Sequence, residues 1–95
     1  MADEFRLTGA QLRAARGLLG ISGEELAERT HLGLSTIRRA EAFDGHVTLT
    51  RANALLLRTT LVELGVEFIE EDKKGGVGVR LALKPHTKGR RSRQT

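Results

Sequence analysis

The chain has 95 residues, of which 39% are apolar and 29% charged, with a single proline and no cysteine. This length and balance are typical of one small globular domain and argue against a disordered or fibrous protein. The absence of cysteine excludes disulfides, thiolate metal sites and cysteine nucleophiles. No apolar run approaches the roughly 18 residues that cross a bilayer, and residues 1–6 contain no apolar signal segment, so a cytoplasmic protein is expected.

Positive charge is concentrated at the C-terminal end of the sequence. The net charge is +4, and five of the 16 basic residues follow position 83, where no acidic residue stands. Removing those five leaves 11 basic against 12 acidic residues in the segment 1–83. The overall charge therefore does not by itself indicate a nucleic-acid partner, which has to be argued from residues of the folded part.

Four helices are predicted between residues 8 and 64. Capping-box patterns begin the first helix at Thr8 and the second at Ser22, and Gly20 ends the first. A third helix is predicted from 34 to about 42, and a fourth from Thr50 to residue 64. The short link between the second and third helices forces them to cross at a steep angle. The fourth helix has more apolar residues than one buried stripe needs, so part of it is expected to face a partner.

After Gly65 the apolar residues change from a helical spacing to an alternating one. Residues 66–70 and 77–83 are predicted strands of a β-hairpin, joined by a turn at 72–76. Because an isolated hairpin is marginal in water, it is expected to pack on the helices or on a second subunit. Residues 85–95 have no apolar periodicity and are predicted to be a disordered basic tail, either solvated or in contact with DNA.

Residues 12–41 read LRAARGLLGISGEELAERTHLGLSTIRRAE. This stretch resembles the Cro/repressor-like helix-turn-helix family of phage and bacterial regulators. The resemblance and the hairpin pattern together predict a mostly α fold, a four-to-five-helix repressor-like domain followed by a C-terminal β-hairpin. The predicted organisation is a helix-turn-helix domain at 1–64, a dimerising hairpin at 65–84 and the tail at 85–95. The residues that carry the resemblance are Leu12, Arg16, Leu19, Gly20, Ile21, Ser22, Glu25, Leu26, Ala27, Leu32, Ile37 and Glu41.

The resemblance implies that the third helix, at about 34–42, is a recognition helix in the DNA major groove. It also implies an ion pair between Arg16 and Glu41 that fixes this helix. Three positions depart from the family pattern, since Gly23 replaces a phosphate-gripping glutamine, His31 the turn glycine and Leu34 the usual polar reader. The residues expected to contact DNA are Gly23, Leu34, Ser35, Thr36, Arg38, Arg39 and Arg51.

The arginines also have a plainer interpretation as solvated surface charges. This interpretation is weaker for Arg38 and Arg39, which lie within the recognition-helix pattern. For Arg6, Arg13 and Arg51, surface charge and phosphate contact are equally supported interpretations. Phosphate contacts of this kind supply affinity and register but little sequence information.

A homodimer is expected because the core is small and apolar residues remain on the fourth helix and the hairpin. Two-fold symmetry would arise by strand pairing or by packing of the hairpin on the neighbouring fourth helix. The predicted function is that of a sequence-specific, double-stranded DNA-binding transcriptional regulator, of repressor type, on a palindromic operator. The expected dimer contacts are Leu55, Val62, Phe68, Val79 and Leu81.

Enzymatic and metal-binding functions have little support in the sequence. His31, His46 and His86 lie in separate segments without the spacing of metal ligands, and no catalytic constellation accompanies them. The glycines at 75–78 fit a hairpin turn better than a phosphate-binding loop. No metal and no cofactor are therefore expected. The alternatives are an antitoxin that binds DNA and a toxin partner, and an accessory protein that bends DNA.

Overall fold

The computed structural model describes residues 6–83. The chain forms helices α1 (Gly9–Leu19), α2 (Gly23–Thr30), α3 (Leu34–Ala40) and α4 (Arg51–Glu63). Two strands follow, β1 (Val66–Ile69) and β2 (Gly78–Leu81), and they pair as an antiparallel hairpin. The prediction of a helix-rich fold with a C-terminal hairpin is confirmed, and the predicted tail lies outside the described residues. No helix within the described range is long and apolar enough to cross a membrane.

Local side-chain caps begin three of the helices, which explains why their starts are visible in the sequence. Thr8 accepts a hydrogen bond from the Gln11 amide at 3.0 Å, and the Gln11 side chain accepts one from the Thr8 amide. Ser22 and Thr50 accept equivalent bonds at the starts of α2 and α4. The predicted reciprocal bond at Ser22 is replaced, because the Glu25 carboxylate instead accepts from Arg29 one turn along the helix.

The third helix is shorter than predicted. It ends at Ala40 rather than at about residue 42. The carbonyl of Glu41, just beyond the end of the helix, accepts a hydrogen bond from the side chain of Arg13 at 2.7 Å. A tertiary contact thus supplies a donor to a carbonyl that the helix itself leaves without one.

Between α2 and α3 the backbone turns through His31, whose φ of 62° lies in the left-handed region. Glycine adopts this conformation without a steric cost, and a histidine does so less readily. His31, which stands where the resemblance implies a turn glycine, therefore adopts the glycine-like conformation itself. Only three residues separate the two helices at this turn.

All four helices and the hairpin contribute to one core. Isolated helices of 7 to 13 residues are marginal in water, so this shared burial is what stabilises them. Leu12 and Ala15 of α1 and Ile37 and Ala40 of α3 belong to this core, and the chain segment before α1 adds Leu7. The fully packed cluster consists of Leu7, Leu12, Ala15, Leu26, Ile37, Ala40, Leu57, Leu61 and Val66.

The hairpin packs on the chain's own helices, and two of the predicted dimer residues take part in this packing. Phe68 pairs with Val79 across the strands, and both side chains pack against the core. The Arg58 guanidinium lies 4.6 Å above the Phe68 ring. The Gln11 amide group donates to the Gly78 carbonyl at 3.1 Å, so α1 also holds the hairpin. Phe68 and Val79, two of the expected dimer contacts, thus already pack within their own chain, and their part in a dimer stays a prediction.

Candidate functional site

The first residues of α2 and α3 lie side by side. A Cβ atom on Gly23 would stand 3.3 Å from Cδ1 of Leu34, which is tighter than ordinary van der Waals contact. Leu34 is half-buried at this contact. Two of the departures from the family pattern are thus coupled, because the glycine leaves the space that the leucine side chain occupies.

One side of α3 is buried and the other faces solvent. Ile37 and Ala40 are 1% exposed and belong to the core. On the opposite side Ser35, Arg38 and Arg39 are exposed, and we call these three residues the α3 outer face. The α3 outer face therefore presents one hydroxyl and two guanidinium groups to solvent.

The two arginines of the α3 outer face differ in their partners. Arg38 Nη2 lies 3.5 Å from Oε2 of Glu24 in the first turn of α2, and both side chains are about two-thirds exposed. Arg39 has no ion-pair partner within residues 6–83. The Arg38–Glu24 contact was not anticipated, although the short link between α2 and α3 and an acid in the first turn of α2 were both visible in the sequence.

A shallow groove adjoins Arg39, between α3 and the start of α4. Thr36, one of the predicted DNA contacts, is half-buried in the wall of this groove. Arg51, another predicted contact, lines a different depression together with Arg6 and His46, and it has an interaction of its own within the chain. The structure therefore groups Thr36 with the α3 outer face but places Arg51 apart from it. The groove is lined by Thr36, Arg39, Ala40, Thr48, Leu49, Thr50 and Asn53.

The end of α3 is held by an arginine–glutamate pair. Arg16 donates from Nε and Nη2 to the two carboxylate oxygens of Glu41, each at 2.8 Å, and from Nη1 to the Ile21 carbonyl at 3.1 Å. The Glu41 side chain is only 10% exposed. The hydrogen bonds to Glu41 raise the pKa of Arg16, and burial acts in the opposite direction. The pair predicted from the family resemblance is thus a bidentate, largely buried contact.

Arg13 lies one turn before Arg16 and holds the loop that follows α3. Its guanidinium donates to the Glu41 carbonyl at 2.7 Å and to the Asp44 carboxylate at 2.5 Å. Both sequence-based interpretations of Arg13, phosphate contact and plain surface charge, miss this role. No local pattern marks it, since the partners are 28 and 31 residues away in the chain.

Gly9 brings the start of α1 into direct backbone contact with the same loop. Its amide donates to the Gly45 carbonyl at 2.8 Å. A Cβ atom at this position would lie 2.0 Å from the Phe43 carbonyl oxygen and 2.6 Å from that of Ala40. Only a glycine fits such an approach. We call Gly9, Arg13, Arg16, Glu41 and Asp44 the α1–loop junction.

The remaining predicted site residues are dispersed. Leu55 is 39% exposed on α4 and Leu81 is 51% exposed at the end of β2. Val62 is half-buried. Arg6 is 3.8 Å from Glu70, at the level of the hairpin rather than of α3.

Within residues 6–83 no three His, Asp or Glu side chains are gathered so that they would hold a metal ion. Comparison of the chain with known protein families, with curated proteins and with solved structures gives no match. Function has to be inferred from the α3 outer face and from the contacts that hold it.

Proposed function

We propose that the protein is a sequence-specific, double-stranded DNA-binding transcriptional regulator of the Cro/repressor-like helix-turn-helix type. In this proposal α2 and α3 form the helix-turn-helix unit, and α3 enters the major groove. The observation that carries the proposal is the α3 outer face, with three polar side chains exposed on a helix whose other side is locked into the core.

The chemistry of the α3 outer face suits base edges. Arginine donates two hydrogen bonds to O6 and N7 of guanine, and a serine hydroxyl serves either donors or acceptors. Arg39, with no ion-pair partner in the described chain, is available for a base or a phosphate. Arg38 has to leave Glu24 first, and this costs little because exposed ion pairs at such distances contribute at most about 1 kcal/mol.

The α1–loop junction supports this proposal by rigidity. Arg13 and Arg16 hold Glu41, the residue that follows α3, and the loop after it with four hydrogen bonds from their guanidinium groups. A recognition helix held this way loses little conformational freedom when it meets its ligand. The arginines of α1 are therefore assigned to positioning α3, and those of α3 to the ligand.

Gly23 and Leu34 have limited roles in this proposal. Gly23 offers only its backbone amide at the start of α2, where Glu24 and Glu25 add negative charge against a phosphate. Leu34 presents the part of its side chain that is not packed at Gly23, which suits a thymine methyl. Direct base reading therefore falls mainly to Ser35, Arg38 and Arg39.

The test is selection of genomic DNA fragments by the full-length protein at two salt concentrations. We expect a few fragments that share a sequence and survive the higher salt. Broad enrichment that vanishes with salt would contradict specific recognition, because it is the behaviour of phosphate contact alone.

A matched pair of substitutions then tests the surface itself. Arg38→Ala or Arg39→Ala should cost about 1–3 kcal/mol at one base position of the selected site. Arg80→Ala is the control, because Arg80 lies on the hairpin but matches Arg38 in its surroundings. The two side chains are 67% and 68% exposed, and each is paired with a glutamate. Equal losses for Arg38→Ala and Arg80→Ala would remove α3 from the proposed interface.

A further inference from the structure

The proposed function gives no favourable role to Glu24, which stands in the first turn of α2. Its side chain is 66% exposed, beside the α3 outer face. A lone carboxylate at a DNA interface repels phosphates and weakens binding to every sequence. When Arg38 leaves Glu24 to bind DNA, the carboxylate therefore needs another partner.

Glu24 reaches the α3 outer face because α2 and α3 start side by side. Gly23, the residue before it, leaves the space that the Leu34 side chain occupies. Arg38 stands one helical turn after Leu34 on α3, and its Nη2 lies 3.5 Å from Oε2 of Glu24. Within residues 6–83 each of these two side chains is the only ion-pair partner of the other. The carboxylate thus belongs to the same exposed surface as the arginine.

The Arg38–Glu24 pair carries no net charge, which distinguishes it from Arg39 on the same surface. A basic side chain that neutralises a phosphate strengthens binding to any sequence and steepens its salt dependence. Glu24 cancels this contribution from Arg38, whereas Arg39 has no ion-pair partner in the described part of the chain. The pair is therefore suited to discriminating between sequences rather than to binding all of them.

The two members of the pair have complementary partners on the base edges of the major groove. Guanine presents two acceptors, O6 and N7, which match an arginine, and cytosine presents the N4 amino donor, which matches a carboxylate. Thymine and guanine offer a carboxylate only acceptors, and adenine sets the acceptor N7 beside its amino group. The two side-chain ends are 3.5 Å apart. Successive bases of a strand are about 3.4 Å apart along the helix axis, so neighbouring base pairs can receive both groups.

We propose that Glu24 is a specificity-determining residue that accepts a hydrogen bond from N4 of a cytosine, in the base pair next to the guanine that Arg38 binds. The ion pair of the free protein is exchanged for these two contacts with bases. Without the cytosine, either the carboxylate is left without a partner or Arg38 stays on Glu24, and both outcomes lower the affinity. This role of Glu24 rests on the proposed function, since it requires α3 in the major groove.

The test measures the affinity of the full-length chain for the selected DNA site and for versions of it with single base changes. Arg38→Ala locates the guanine. Glu24→Gln should lose the preference for cytosine at the neighbouring base pair by about fivefold or more, and adenine should become the preferred base there, because a carboxamide pairs with adenine N6 and N7. Glu24→Ala should lose the same preference without gaining one for adenine.

Glu67→Gln on the hairpin is the matched control. Each glutamine substitution removes one carboxylate and leaves one exposed arginine, Arg38 or Arg80, without its partner. Only Glu24→Gln should tighten binding to unrelated DNA and steepen the slope of log affinity against log salt concentration by about one. Urea denaturation establishes that the variants are folded.

Three results would overturn the role of Glu24 and leave the proposed function intact. The first is a specific site whose base preferences are the same for Glu24→Gln and the parent chain. The second is a change that Glu67→Gln reproduces, and the third is a change more than one base pair from the position that Arg38 reads. A chain that selects no DNA sequence would instead overturn the proposed function, and the role of Glu24 with it.

Discussion

The α1–loop junction and the α3 outer face place the same two residue types in opposite situations. In the junction, Arg16 meets Glu41 through two hydrogen bonds of 2.8 Å, with the carboxylate 10% exposed. On the outer face, Arg38 meets Glu24 at 3.5 Å with both side chains about two-thirds exposed. Burial, rather than residue type, decides that the first pair holds the fold and that the second is free to exchange its partner.

This difference separates stability from recognition along one short helix. The buried side and the C-terminal end of α3 are tied to α1, whereas its exposed side contributes little to folding. Substitutions in the junction should therefore lower the free energy of unfolding, and substitutions on the outer face should not. Four substitutions test whether stability and recognition are separated in this way.

Gly9→Ala should have the largest effect. The added methyl group would overlap the Phe43 carbonyl oxygen, at 2.0 Å, and a backbone atom cannot swing away as a side chain does. We expect a loss of about 3 kcal/mol or more in the free energy of unfolding, measured by urea denaturation. Gly17→Ala on the same helix is the control. Nothing lies within 4 Å of a Cβ there, and we expect a gain of about 0.5–1 kcal/mol. Similar losses at both positions would mean that α1 does not approach the loop.

Arg16→Met should cost about 3 kcal/mol, because it leaves the Glu41 carboxylate largely buried without its partner. The double variant with Glu41→Leu should recover much of this loss, since both charges are then removed. Recovery in denaturant titrations would identify the cost as that of an unpaired charge, whereas additive losses would point to packing. The hydrogen bonds to Glu41 raise the pKa of Arg16 above its usual range, so the folded state keeps this charge until the pH is strongly alkaline. The arginine should therefore add no pH dependence to stability between about pH 5 and 9.

His31→Gly should stabilise the protein by about 0.5 kcal/mol. Glycine removes the cost of the left-handed conformation at φ 62° but adds freedom to the unfolded chain, and the first effect is the larger. Thermal denaturation measures the change. A lower midpoint than that of the parent chain would contradict a strained turn between α2 and α3.

Arg38→Ala should change the free energy of unfolding by no more than about 0.5 kcal/mol, because its ion pair with Glu24 is exposed. The measurement is made beside that of Arg16→Met under the same conditions. A loss comparable to that of Arg16→Met would show that the outer face is part of the structural framework, and would remove the distinction between the two regions.

Helix starts were predictable because the groups that make them are neighbours in the chain. The Thr8 cap reaches Gln11 and the Thr50 cap reaches Asn53, both three residues away. The left-handed ends at Gly20 and Gly65 are equally local. By contrast, nothing near Gly9 or Arg13 in the sequence marks their contacts with the loop, which lies more than 25 residues further along the chain.

The order of helices and strands and the helix caps could be predicted from the sequence, because they depend on spacing and on bonds between near neighbours, whereas the apolar residues of α4 were too many to show which of them are buried. The sequence also indicated the Arg16–Glu41 pair through the family resemblance. Which arginines hold the fold and which face solvent could not be predicted from the sequence. Their roles depend on which carbonyl or carboxylate, distant in the chain, comes within hydrogen-bonding distance. The same holds for the hairpin, whose Phe68 and Val79 pack on the core of their own chain, while Leu55 and Leu56 of α4 stay exposed.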